Sequence, residues 1–249
     1  MRTKPKRLIA IGDIHGCLPL LDRLLALIRL QPDDLLVTLG DYVDRGPDSK
    51  GVLDRLIELH QRFQVVSIRG NHDWLMQHCR MDPTIYRDWQ RYGGVQTLQS
   101  YRPADRPESE PVTLDDIPAS HWRFLETTCQ DWFEFDRFFF VHACVDPMLP
   151  LAQQPTEYLH WEKLSECFEP HISGKTMVCG HTPQPFGRPL LKPHVYCLDT
   201  YVYRQKGGWL TGMDVLSGTI WQSGPEEDRQ GYVDSTGELH GLDNDDVPF

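Results

Sequence analysis

Short apolar runs that close on or beside a Gly, Asp, Asn or His recur along the chain and leave it few folds to adopt. They occupy residues 8–13 (LIAIGD), 35–41 (LLVTLGD), 65–71 (VVSIRGN), 138–143 (FFFVHA), 176–181 (TMVCGH) and 195–200 (VYCLDT). Runs this short and this apolar, with no polar alternation, predict strands buried on both faces. Leucines at helical spacing fill 18–30 (LPLLDRLLALIRL), and 49–63 (SKGVLDRLIELHQRF) is a second amphipathic stretch. The chain therefore begins β-α-β-α-β. Open α/β sheets collect ligands outside the carboxyl ends of their strands, and the polar residues here fall at those ends, run after run.

Between Trp74 and Trp132 the pattern turns to aromatic and charged helical sequence around a Pro- and Glu-rich loop, YRPADRPESEP. This predicts a helical cap inserted at 74–132. Trp74, Tyr86, Trp89, Tyr92 and Trp122 recur there at helical spacing that suits core packing, and no substrate role is assigned to them. Residues 208–222 alternate like a hairpin with a turn at 216–218. The expected organisation is a catalytic domain over 1–224 and an acidic, weakly structured tail over 225–249. The tail carries −7 of the net charge of −11.

Several classes fall away. No apolar stretch is long enough to span a membrane, since Asp22, Arg23 and Arg29 interrupt the richest one, and LIAI after the basic start is too short for a signal-peptide core. A cytoplasmic protein is expected. Seven cysteines with no C-x-x-C pair imply reduced thiols and no disulfide framework. The acidic balance opposes nucleic-acid and membrane partners, and no obligate protein partner is indicated.

Asp13 and His15 lie two apart on an extended segment, so an oxygen and an imidazole nitrogen face one side, a pairing that suits a divalent metal. Asp41 closes the second run, where a carboxylate could bridge two metals about 3.5–4 Å apart. Asn71 offers a neutral carbonyl oxygen, and His142 and His181 offer nitrogens from later strand ends. Mixed N/O donors favour manganese, iron or zinc over calcium or magnesium.

GDIHG, GDYVDRG and GNHD, in this order and at these separations, resemble the phosphoprotein-phosphatase family of metallophosphoesterases. VHA at His142, GHTP at His181 and CLDT at 197–200 extend the resemblance over residues 8 to about 222. RYGG…TLQSY and GGWLTGMDVLSGTIWQ are similar to the bacterial branch around the bacteriophage lambda phosphatase. The resemblance implies a four-layer αββα sandwich of two mixed sheets with a helical cap. It implies that Asp13, His15 and Asp41 bind one metal ion and that Asp41, Asn71, His142 and His181 bind a second. Manganese is the first expectation for both. A hydroxide between the two would attack phosphorus in line, with no phosphoenzyme.

By the same resemblance His72 is the general acid, Asp44 holds its imidazole, and Arg45 and Arg69 clamp the phosphate. Two positions depart from the pattern. Lys163 stands where the lambda-type enzymes have a phosphate-binding arginine and offers a point charge without the fork. Asp199-Thr200-Tyr201 replaces the usual DTG. The expected function is hydrolysis of phosphomonoesters, on phosphoserine or phosphothreonine in proteins, with phosphotyrosine as a further substrate. The rivals are symmetrical diadenosine tetraphosphate hydrolysis and a non-catalytic binding module on the same fold. Acidity and the D-R of GDYVDRG argue against a nuclease. Cys17 and Arg23 meet the C-x5-R spacing of thiolate phosphatases, but the leucines between them belong on a core-facing helix rather than a phosphate cradle.

Overall fold

The computed structural model describes residues 4–165, 168–204 and 206–242. The first half alternates as read: β1 (Leu8–Ile11), α1 (Leu18–Ile28), β2 (Leu35–Thr38), α2 (Ser49–Arg62) and β3 (Gln64–Ser67). Helices α3 (Asn71–His78), α4 (Pro83–Trp89), α5 (Val95–Ser100) and α6 (Ala119–Arg123) follow, with π-turns at Gln90–Gly94 and Phe124–Thr128. Then come β4 (Trp132–Phe135), β5 (Phe138–Val141), α7 (Thr156–Trp161), β6 (Thr176–Cys179), β7 (Leu190–Lys192), β8 (Val195–Cys197) and β9 (Asp199–Thr200). The chain closes with β10 (Trp209–Asp214), β11 (Thr219–Ser223), β12 (Asp228–Val233) and β13 (Leu239–His240).

Two mixed sheets result. One runs β13-β12-β11-β10-β1-β2-β3 with β9 beside β10; β1, β2 and β3 are parallel and the rest antiparallel. The other runs β4-β5-β6-β8-β7, with β5, β6 and β8 parallel between antiparallel edges. Strand alternation then builds the layers. Leu8 and Ala10 of β1 and Val37 of β2 meet Phe138, Phe140 and Val178 of the second sheet between the sheets. Ile9, Ile11 and Leu36 point the other way, onto Leu21, Leu24 and Leu56 of α1 and α2. On the far face, Phe139, Met177 and Cys197 are covered by Leu159 of α7 and by Leu151 and Phe168 of the neighbouring loops. Each central strand is thus apolar on both faces because both faces are covered.

The helical stretch after β3 has no separate core. Trp89, Leu98, Ile117, Trp122 and Leu125 join the cluster that holds α1 and α2 against the first sheet. A polar chain pins it to α2: Tyr101 Oη pairs with His121 Nδ1 at 2.7 Å, and His121 Nε2 with Asp54 Oδ1 at 2.9 Å. The π-turn at Gln90–Gly94 carries Gly93 at φ 121°, where a Cβ would lie 2.6 Å from the Arg45 nitrogen. Gly93→Ala is therefore expected to cost roughly 1–3 kcal/mol. A denaturant midpoint equal to that of the wild type would show that this approach is not enforced.

The acidic tail, expected to be weakly structured, instead adds β12 and β13 to the first sheet. Tyr232 pairs with Thr219 and Asp228 with Ser223 along β11. Arg23 donates to Asp228, and the Arg229 guanidinium lies 3.8 Å over the Trp209 ring. Net charge misleads here because strand alternation turns Asp228 and Gln230 outward while Gly231 is buried. Residues 243–249 lie outside the described part. Among the described residues no helix is long and apolar enough to cross a membrane.

Candidate active site

The polar residues that end β1, β2, β5 and β6, with Asn71 at the start of α3, converge. Two groups of donors form, His15/Asp41/His72 and Asp41/His142/His181, and within each the donor atoms lie within 4.8 Å of one another. Asp41 belongs to both. Its Oδ2 lies 3.4 Å from His15 Nε2 and its Oδ1 3.4 Å from His142 Nε2, so one carboxylate oxygen serves each side.

Backbone carbonyls set the imidazoles. His15 Nδ1 donates to Val43 O at 2.9 Å, His142 Nδ1 to Leu39 O at 2.8 Å, and His181 Nε2 to Trp161 O at 3.1 Å. These partners assign the tautomers, and each ring's other nitrogen then carries a lone pair. The lone pairs of His142 Nε2 and His181 Nδ1 face Asn71 Oδ1, both at 3.0 Å, and lie 3.2 Å from each other. Three acceptors with no proton among them repel one another, and a cation at their focus resolves the conflict. The donor set fits a divalent metal.

Asp13 is buried, accepts the His181 N–H at 3.1 and 3.2 Å, and lies outside both donor groups. Burial, and then the charges of Asp199 and Asp41, push its carboxyl well up. Asp199 had been quoted in CLDT without a role. It is buried beside Asp13 and pushed up to about 6, chiefly by burial. Asp41 itself is drawn below the carboxylate range: burial opposes this, but His142, His72, His15 and His181 outweigh it. Burial lowers the His142 pKa to about 3 and His15 well below its ordinary value, which leaves both neutral and able to ligate.

The His72 imidazole gives Nδ1 to Asp44 Oδ2 at 2.7 Å. Asp44 is held in turn by Trp89 Nε1 (2.9 Å) and Thr97 Oγ1 (2.7 Å) on its other oxygen. Burial lowers the His72 pKa, yet Asp41 and Asp44 together raise it above the ordinary histidine value. The Arg45 guanidinium donates to Nε2 of both His15 (3.1 Å) and His72 (2.9 Å). The adjoining Asp73 accepts from the backbone of Gly70 and of Tyr42 and ties the GNHD loop to the end of β2.

Much of this backbone is strained. His15, Asp41, Asp44, Arg45, His181 and Tyr201 all take positive φ, between 43° and 72°. Side chains with a Cβ adopt this region at a cost, and such strain gathers where side-chain direction matters. Tyr201 shows why DTY can stand for DTG: the turn keeps the left-handed conformation glycine would take, at φ 67°.

Other expected residues lie elsewhere. Arg69 donates through Nη1 to Asp131 Oδ1 at 2.6 Å and through Nη2 to the carbonyls of Leu125 and Cys129, while its buried Nε meets no hydrogen-bond partner among the described residues. Lys163 is exposed, near enough for its charge to act on His181. The Cys17 thiol is buried, donates to His15 O, and is pushed up to about 11 by burial. Arg23 is paired with Asp228 and Gly224 O. Neither forms a phosphate loop.

Two mixed sheets around a shared apolar core, with histidine and carboxylate donors converging at their strand ends, define a fold with a candidate divalent-metal site. The chain belongs to the calcineurin-like phosphoesterase family, whose model matches residues 6–203. It is 44% identical over 71 residues to serine/threonine-protein phosphatase 1 of Salmonella typhimurium, covering 28% of this chain and 31% of that protein. It is 49% identical over 67 residues to a symmetrical bis(5'-nucleosyl)-tetraphosphatase of an Acidovorax species, covering 26% and 23%. The matches thus span under a third of either relative's length. The cold-active protein-tyrosine phosphatase of a Shewanella species shares the fold with a TM-score of 0.62 at 15% identity, over 96% of this chain and 81% of that one.

Proposed function

We propose that this protein is a phosphomonoesterase that uses two divalent ions to hydrolyse phosphorylated protein side chains, serine and threonine esters first and tyrosine esters as well. The observation that carries the reading is Asp41, shared by two convergent donor groups, with the His72–Asp44 pair directly beside them. Asp13, His15 and Asp41 would hold one ion, and Asp41, Asn71, His142 and His181 the other; the mixed N/O set favours manganese, iron or zinc over calcium or magnesium, and the family resemblance puts manganese first. Such a pair of ions, when bound, lowers the pKa of water toward neutrality and offsets charge on the phosphoryl oxygens.

This chain's residues do the rest. Arg45 presents a planar fork that matches two phosphoryl oxygens. A phosphate offered to Arg45 competes with the His15 and His72 lone pairs and frees His72 Nε2 to carry a proton. His72 then delivers that proton to the ester oxygen as the P–O bond breaks, and Asp44 keeps the ring oriented. Lys163 adds a point charge at the rim.

A second reading, hydrolysis of symmetrical dinucleoside polyphosphates, is favoured by the local identity to the Acidovorax enzyme, 49% over 67 residues beside 44% over 71 for the Salmonella phosphatase. A panel of phosphoseryl peptide and diadenosine tetraphosphate separates the two. Faster release of phosphate from the peptide is expected; a large preference for the dinucleotide, with ADP as product, supports the second reading instead. Chelation should abolish both activities, and added manganese should restore them. Activity that survives metal removal but vanishes in Cys17→Ser would overturn the metal mechanism.

A further inference from the structure

A leaving group departs on the side of the acid that protonates it, so the surface next to His72 selects among esters. There the protein forms an open groove of about 590 Å³, whose lining includes Arg45, Tyr92, Val95, Gln96 and Tyr203. Tyr92 is more than half exposed and meets the His72 imidazole nearly edge to face, with 6.5 Å between ring centres. Tyr203 carries the Arg45 guanidinium on its face at 4.4 Å and meets His15 edge-on at 4.9 Å. Tyr201 packs against Tyr203 in turn, 5.1 Å between rings.

Each tyrosine stands beside a residue at positive φ, and of the two only Tyr201 takes it at a cost. Gly93, which presses against Arg45, brings Tyr92 beside the acid, and Tyr201 holds a positive φ where the related motif has glycine. A seryl phosphate has a short aliphatic stem and makes little use of the exposed Tyr92 ring. An aromatic ring on the ester oxygen does, through offset or edge-to-face contact.

We propose that this groove is a subsite for an aromatic ring attached directly to the scissile ester oxygen, and that it admits phosphotyrosyl chains and other aryl phosphates beside the seryl and threonyl esters. Tyr92 is its specificity residue, and Tyr203 positions the Arg45 fork beside it. The inference rests on the reading of His72 as the acid and extends that reading to the leaving group.

The test compares kcat/KM for phosphotyrosyl and phosphoseryl peptides of one sequence, with manganese-loaded enzyme. The tyrosyl-to-seryl ratio is expected to fall about tenfold in Tyr92→Ala and to stay within about twofold of wild type in Tyr92→Phe, which keeps the ring. Turnover with an unchanged ratio in Tyr92→Ala overturns the subsite and leaves the phosphatase reading standing. A loss in Tyr92→Ala on diadenosine tetraphosphate as large as that on the phosphotyrosyl peptide also overturns it, because the ring recognised would then be a nucleobase remote from the cleaved bond. Binding of phenylphosphonate against methylphosphonate needs no turnover. A preference for the phenyl compound that Tyr92→Ala removes supports the subsite even in a protein that hydrolyses neither peptide, a result that would sink only the catalytic reading.

Discussion

Asp41→Asn is expected to remove both metal ions together and to lower turnover on the order of a thousandfold. The carboxylate sets one oxygen toward His15 and the other toward His142, so it serves both donor groups at once. An amide keeps one carbonyl oxygen, loses the charge, and turns an N–H₂ toward lone pairs. Asparagine is the informative replacement because Asp41 sits at φ 50°, a conformation asparagine tolerates, so the fold should survive. Metal analysis and hydrolysis of p-nitrophenyl phosphate are the measurements. A variant that retains two ions per chain and a tenth or more of wild-type turnover would remove Asp41 from the bridging position.

The second large effect concerns His72. In His72→Asn, turnover of phosphoseryl peptides should fall by about 10²–10⁴, the range a positioned acid contributes. The loss on p-nitrophenyl phosphate should be far smaller, because its phenolate departs without a proton. Metal content should barely change. The sign of the pH dependence follows from the raised pKa of His72: the protonated acid is populated below that value and lost above it. Wild-type turnover of seryl esters should therefore fall on the alkaline side, and that limb should be missing in His72→Asn. Equal losses on alkyl and aryl esters would assign His72 to folding of the loop rather than to proton transfer.

The convergence of the candidate donors was legible in the sequence for a simple reason. Most follow buried strands, β1 and β2 of one sheet and β5 and β6 of the other, and the carboxyl ends of the two sheets meet where the sheets pack together. Asp44 and His72 were legible through their motifs, and their pairing holds at 2.7 Å. The partners of Arg69 were not. Its position in SIRGN says nothing of Asp131, sixty-two residues on, to which its Nη1 donates. Asp199 could have been found as a carboxylate that ends an apolar run, the same signal that marked Asp13 and Asp41. Its burial beside Asp13 has no sequence signature.

The tail and the tyrosines were misjudged or left unassigned through local reasoning. Charge density suggested a solvated tail over 225–249, but a strand needs only a partner edge and one covered face, and β11 supplies the edge for β12. Tyr92 sits in the same helical stretch as Trp89, yet Trp89 is fully buried on Asp44 while Tyr92 faces the groove. Helical spacing places residues on faces; the π-turn and the glycine at 93 rotate those faces in a way that 3.6-residue periodicity does not anticipate.

By itself the sequence determined the buried strands, the residue types at their ends, and hence a site of mixed nitrogen and oxygen donors for divalent metal. These follow from local chemistry: apolar runs must be covered, and histidine, asparagine and aspartate carry their donor atoms wherever the chain takes them. Only the tertiary structure decided that Asp41 stands between two donor groups, that Arg45 rests on Tyr203 between two imidazoles, and that a tyrosine-walled groove opens beside His72. Each of those is a distance between residues far apart in the chain, set by sheet register and backbone strain that no single segment encodes.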